Sequence, residues 1–237
     1  VYITDTTKNA GLQGQTITGV AAGSIIATTD VSTPVAAIVD DSGTVNSAAF
    51  KFSTVNDSYT ITNVTLTLVD ASTVSTVTLM DNGTAVTGGS KPGSTTITFS
   101  GLNIAVAANT TKVLTVQLTM AAVGVGAGTS GASVLTTLTA ATARNSGGTS
   151  DSVIESDPSG NAMYVYHAIP TITNVILPTS VLVVGTQTVS KFNVSSGGTG
   201  TISWQKLIFT VAKNVSGTDT LASPTLWNSD TNTQISG

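Results

Sequence analysis

The sequence predicts an all-β protein built from tandem Ig-like antiparallel β-sandwich modules, and three observations carry that reading. Apolar and polar residues alternate with period two, as in Lys112-Val113-Leu114-Thr115-Val116-Gln117-Leu118-Thr119, where Leu114, Val116 and Leu118 share one face and Thr115, Gln117 and Thr119 the other. Thr, Val, Ser, Ala and Gly dominate the composition, turn residues recur every eight to twelve positions or so, and no helical period with caps is sustained. The chain also repeats itself out of frame. Phe50-Lys51-Phe52, a turn and Tyr59 to Leu68 return about 140 residues later as Ser190-Lys191-Phe192, a turn and Ile202 to Val211. A fainter match pairs Lys8-Asn9-Ala10-Gly11 with Arg144-Asn145-Ser146-Gly147, and Pro34 with Pro170.

The repeat divides the chain into three parts. Residues 1–33 are expected to be the C-terminal part of a preceding module or an N-terminal strand segment, residues 34–168 a complete sandwich, and residues 169–237 the N-terminal half of a second, homologous module. The terminal pieces cannot together complete a module, because neither contains a counterpart of the stretch from Ser90 to about Val134. A central copy of this size can bury a core of its own. Only 8% of residues are charged, so the chain lies far from the low-hydrophobicity, high-charge composition of disordered proteins.

Taken in chain order, the elements have local reasons. In the segment from Tyr59 to Leu68, Tyr59 and Ile61 are in one phase and Val64, Leu66 and Leu68 in the other, which predicts a bulge or a crossing between sheets at Thr62-Asn63. The second copy slips likewise at Gln205-Lys206. Val77 to Met80 and Ala85-Val86 flank Asp81-Asn82-Gly83-Thr84, and Asn-Gly supplies the positive φ angles of a tight primed hairpin turn. His167-Ala168-Ile169-Pro170 is a linker so short that the modules are expected to meet end to end, with Pro170 fixing one dihedral angle and limiting swing.

Composition restricts function more than it specifies it. The absence of cysteine removes disulfides and thiol chemistry. A net charge of −4 with eight scattered Lys and Arg offers no basic stripe for nucleic acid and no polybasic membrane patch. The uncharged stretches 113–143 and 158–190 are interrupted by Gly or Pro and are dense in Ser and Thr, so neither reads as a membrane span. His167, the only histidine, would need an orienting carboxylate and an exposed Ser or Thr to act in a triad, and reads instead as an interface residue beside Tyr164, Tyr166 and Pro170. The expectation is therefore a non-enzymatic protein without a bound cofactor. Trp204 and Trp227 fall at strand positions, where packing accounts for them.

A few residues are candidates for modification or ion binding. Asp151, Glu155 and Asp157 form the first choice for a Ca²⁺ site, because hard cations take oxygen clusters on loops between stacked sandwich domains; Asp40-Asp41 is a second acidic loop. Of six N-x-Ser/Thr sequons, those at Asn56, Asn82 and Asn109 lie at expected turns and are the glycosylation candidates, whereas Asn63 falls within a strand. Lys51 recurs as Lys191 and could be crosslinked to Asn161, but Phe50 and Phe52 point the other way and leave Lys51 as a solvent-facing guard of a strand edge.

The runs Gly101-Leu102-Asn103-Ile104-Ala105-Val106, Ser159-Gly160-Asn161-Ala162-Met163 and Gly185 to Phe192 resemble phrases of the Thr-rich tandem Ig-like repeat proteins exported to the surface of candidate-phyla, ultrasmall bacteria. The resemblance runs from about Pro34 onward and carries no catalytic residues. It implies Ig-like modules in a cell-surface protein, an S-layer or an extracellular filament; the expectation is a secreted structural protein self-assembling with identical subunits, with an adhesin or glycan-binding stalk as the alternative. Weakly charged, hydroxyl-rich surfaces suit such assembly, because they approach one another at small Coulombic cost and offer lateral hydrogen bonds.

Overall fold

A computed structural model describes residues 22–124, 128–153, 156–181, 183–212 and 222–235. These residues form two compact units, one ending at Ile202 and one beginning at Ser203. The first contains a β-sandwich. Its first sheet comprises β1 (Ser24–Thr29), β3 (Thr44–Val55), β5 (Val74–Asp81), β6 (Thr84–Pro92) and β8 (Thr111–Met120), in the spatial order β1-β3-β8-β5-β6 and antiparallel throughout. The second sheet comprises β2 (Ala37–Asp40), β4 (Tyr59–Val69), β7 (Thr96–Val106), β9 (Ala132–Asn145), β10 (Ser150–Ser152) and β11 (Met163–Tyr166). Its order is β2-β11-β9-β4-β7, with β10 on the β11 edge of β9. One pairing departs from the antiparallel expectation: β2 runs parallel to β11, because the strands near the two ends of the module enter one sheet edge from the same side.

The alternation read from the sequence puts one face of the long strands β3, β4, β5, β7, β8 and β9 into the core. Ile25, Phe50, Phe52, Leu79, Leu114, Val116 and Leu118 of the first sheet meet Ile61, Val64, Leu66, Leu68, Phe99, Leu138 and Met163 of the second, all buried. The outer faces carry hydroxyls in cross-strand pairs such as Thr65 with Thr98 (3.2 Å) and Thr67 with Thr139 (3.2 Å). One polar link crosses the core. Ser47 is the bulged residue of β3 opposite β8, and its hydroxyl lies 2.9 Å from that of Thr136, both fully buried. Gly160 packs so closely there that a Cβ would strike the Ser47 carbonyl.

Both local predictions in the central copy hold. The β5–β6 turn has Asn82 at φ 48 and Gly83 at φ 79, with Asp81 paired to Thr84, which is the primed geometry expected of Asn-Gly. Between Ile61 and Asn63, β4 shifts register against both neighbours, so Thr62 is the additional residue that brings Val64 and Leu66 back to the core. No helix among the described residues is long and apolar enough to cross a membrane.

The start of the central sandwich is corrected. Ser24–Thr29 precede Pro34, where the sequence reading begins the complete module, yet they form its edge strand β1 and contribute Ile25 and Ala27 to the core. In the second copy the match of Pro170 to Pro34 is corrected, because Pro170 lies within the strand that pairs as β1 does, whereas Pro34 follows β1. β12 (Ile169–Val175) pairs with β13 (Lys191–Gly197), so that Lys191 faces Val175 as Lys51 faces Thr28. In the second unit β14 (Leu226–Asn228) pairs with β15 (Thr233–Ile235), at the place of the β5–β6 hairpin. Residues 202–211, the counterpart of β4, form no strand, and Trp204 therefore lies outside one, 47% exposed; Trp227 is in β14 and 52% exposed. β4, by contrast, takes its backbone hydrogen bonds from β7 on one side and β9 on the other.

Phe52 is fully buried, whereas its counterpart Phe192 is only half-buried. Phe52→Ala is expected to destabilise the chain by about 3–5 kcal/mol in urea unfolding, and Phe192→Ala by distinctly less. Equal losses would show that the second copy has a core the present packing lacks.

Candidate functional site: a buried carboxylate at the module junction

The most highly organised polar site lies where the central sandwich meets the linker and the β13 loop of the second copy. The β2–β3 turn carries Asp40-Asp41, and the Asp41 backbone N–H donates to the Tyr166 carbonyl at the end of β11 (3.0 Å). This turns the Asp41 side chain inward, and the residue is only 2% exposed. Four donors surround its two oxygens. Oδ1 accepts from the Thr199 backbone N–H (2.8 Å). Oδ2 accepts from the Thr199 hydroxyl (2.7 Å), from His167 Nδ1 (2.8 Å) and from the Val123 backbone N–H (3.1 Å).

These donors come from three separate stretches: the loop after β8, the linker after β11 and the loop after β13. The last is Gly198-Thr199-Gly200, directly after β13, and its glycines are what allow it to dock. Gly198 has φ +82, and a Cβ on it would crowd the His167 carbonyl and Asp41 Oδ1; one on Gly200 would enter the His167 ring. Gly200 N–H donates to the His167 carbonyl (2.7 Å), and His167 N–H donates to the Ser130 hydroxyl (3.1 Å). Burial by itself would raise the Asp41 pKa, but hydrogen bonds from the Thr199 hydroxyl, Val123 N–H, His167 and Thr199 N–H outweigh it and hold the carboxyl well below the usual carboxylate range.

The grouping of Asp, His and Thr invites comparison with a nucleophilic triad, and the geometry does not fit one. In a triad the carboxylate holds one imidazole nitrogen and the hydroxyl approaches the other. Here Asp41 Oδ2 and Thr199 Oγ1 both lie at Nδ1, the hydroxyl 3.2 Å away, and the hydroxyl proton is donated to Asp41. The ionised Asp41 takes the Nδ1 proton, so that nitrogen is not free to accept from Thr199. What the arrangement does is fix three chain segments to one anion. The interface role expected of His167 is thus more specific than packing against the linker, and Thr199 is a functional residue that the sequence reading missed. The signal was the glycine run around it, whose two flanking glycines mark a close backbone approach.

Of the Ca²⁺ candidates, the two described residues Asp151 and Asp157 are not brought together. Asp151 lies beside Ala143 on β9, accepts from the Asn145 amide (3.2 Å) and raises the pKa of Tyr59, which burial already pushes up. Asp157 precedes Pro158, whose carbonyl accepts from Leu138 N–H. Five residues of extended β9 separate Ala143 from Leu138, roughly 15 Å, so Asp151 and Asp157 cannot share one ion. Glu155 lies outside the described residues. Asp41, of the other acidic loop, has both oxygens committed to the chain, and among the described residues no three His, Asp or Glu side chains converge.

The sequon asparagines Asn56, Asn82 and Asn109 are exposed turn residues with φ of 64, 48 and 57. Asn109 Oδ1 accepts from Asn56 N–H (2.9 Å), which ties the β3–β4 and β7–β8 turns together. Asn161 donates its amide to the Pro34 carbonyl (2.8 Å), a structural use distinct from crosslinking to Lys51.

Replacing Asp41 by Ala leaves buried donors without an acceptor, and a loss of about 3 kcal/mol is expected in chemical denaturation. Thr199→Val removes one donor and keeps the backbone one, and should cost about 1.5 kcal/mol. The depressed Asp41 pKa gives a pH test. The unfolded carboxyl titrates near the ordinary value of about 3.9, so its stabilisation is complete above about pH 4 and is lost as the pH falls further. Stability measured from pH 6 downward should fall less steeply for Asp41→Asn than for the natural chain, and parallel acid limbs would contradict the assignment.

No protein-family profile matches the chain, and no curated protein matches it in sequence. Among solved structures it is similar to a cohesin module from a family 33 glycoside hydrolase of Clostridium perfringens ATCC13124, at 12% identity over 61% of this chain and 96% of that one, with a TM-score of 0.26. So slight a superposition carries no argument about function.

Proposed function

We propose that the chain is a structural, non-enzymatic protein of the cell surface, the subunit of an extracellular array assembled from tandem β-sandwich modules. The observation that carries this reading is the junction: a buried Asp41 holds the linker residue His167 and the loop residues Thr199 and Gly200 of the second copy in fixed relation to the sandwich. A hinge left free to swing would not need a desolvated anion with four donors. Stiff junctions are what a force-transmitting or lattice-forming protein requires, since flexible linkers dissipate the geometric precision of a repeat. The hydroxyl-covered outer faces and the 8% charged composition support lateral contact between subunits, and the cell-surface placement rests on the sequence resemblance. A rigid adhesin stalk is the second reading, favoured by the same locked junction.

The two readings separate on assembly. Negative-stain electron microscopy and sedimentation of the purified chain over a rising concentration series, with and without Ca²⁺, should show ordered sheets or filaments for an array protein. Monodisperse rods at the highest concentration in both conditions would remove the array reading and leave the stalk.

A further inference from the structure

The outer face of the second sheet carries a shallow open depression of about 670 Å³, and its origin is the register slip in β4. Against β9, β4 has one additional residue, Thr62; against β4, β7 has more, since Ile61 pairs with Ile104 and Asn63 already with Ser100. The bulged stretch of β7 turns outward at Gly101, φ +69, where a Cβ would meet no atom within 4 Å. Bulges of this kind re-aim side chains without disturbing the core beneath.

The side chains around this space share one chemistry. Arg144 is the single arginine among 237 residues. It is exposed and stands between Thr60 of β4 and Ser150 of β10 in one cross-strand row, and it forms no ion pair among the described residues. Asn63, Asn103 and Thr142 join it on the rim with Gly101 and Leu102, and among the described residues no Asp or Glu lines it. In a chain of net charge −4, this is a local positive site surrounded by amides and hydroxyls. The pattern also recurs in the sequence: Lys8-Asn9 stands where Arg144-Asn145 stands, and Gln205-Lys206 replaces Thr62-Asn63 at the second slip.

We propose that the depression is a binding site for an acidic saccharide of the uronate type. The planar Arg144 guanidinium takes the sugar carboxylate in a two-bond fork, and the Asn63 and Asn103 amides with the Thr60 and Ser150 hydroxyls take ring hydroxyls. A peptide is less well matched. Strand addition needs an uninterrupted sheet edge, and β7 is broken by the bulge at this point. Among the described residues no aromatic side chain lines the space, so the site binds weakly, at about the millimolar level. Binding here is independent of whether the chain assembles into an array.

The test is an NMR titration of the full chain with oligogalacturonate, alongside a neutral dextran oligomer, a sulfated dextran oligomer and poly-glutamate. Saturable shifts at Asn63, Asn103 and Arg144 with oligogalacturonate, at least tenfold weaker with Arg144→Gln, are the expected result, the variant's unchanged melting temperature showing that it is folded. Absence of saturable shifts, or an unaltered response in Arg144→Gln, would overturn the site. An equal response to neutral dextran would overturn the role of the carboxylate, an equal response to sulfated dextran would overturn the uronate assignment, and an equal response to poly-glutamate would overturn the saccharide class, leaving only attraction between charges.

Discussion

A pleated strand has two faces, and a sandwich core can use only one of them. That constraint organises the molecule. It requires inward residues at every second position in the core strands of both sheets, and it leaves the outward positions for Thr, Ser and Asn. It also explains why the register slip at Thr62 is needed. Tyr59 and Ile61 start β4 in one phase, and without one additional residue Val64, Leu66 and Leu68 would face solvent. The bulge is therefore the means by which two apolar runs of opposite phase share one core. Its by-product is the outward detour of β7 at Gly101 and the polar depression beside Arg144.

The junction is governed by a different balance. Removing a carboxylate from water costs several kcal/mol unless its oxygens are hydrogen-bonded, and Asp41 recovers that cost only when Thr199, His167 and Val123 are all in place. A partly docked junction would leave a buried anion with too few donors. The arrangement thus favours a fully docked state over intermediate ones, which is how one side chain can make a linker stiff. Ser47 and Thr136 do something similar within the core, where a single satisfied polar pair fixes how the two sheets lie across one another.

These two features serve different ends. The Asp41 site faces the second copy and is saturated by the chain itself, so it has no capacity left for a ligand. The Arg144 depression faces solvent and leaves its guanidinium without an ionic partner among the described residues. The first ties His167 and Thr199 to the sandwich, and the second presents amides, hydroxyls and one guanidinium on its outer face.

Local patterning alone accounts for the fold class, the Asn82-Gly83 hairpin, the slip in β4 and the repeat, because each is written in neighbouring residues: a period of two, a dipeptide that tolerates positive φ, a phase change within ten positions. Asn56, Asn82 and Asn109 were legible as turn residues for the same reason. Tertiary structure settled whatever depends on residues distant in the chain. Only pairing with β3 assigns Ser24–Thr29 to the central sandwich, and only the course of the chain along β9 separates Asp151 from Asp157. The meeting of Asp41 with Thr199 spans 158 positions, and local patterning carries no information about which donor a buried carboxylate will find. Its one local trace was glycine at 198 and 200, where the backbone comes too close to His167 for any side chain.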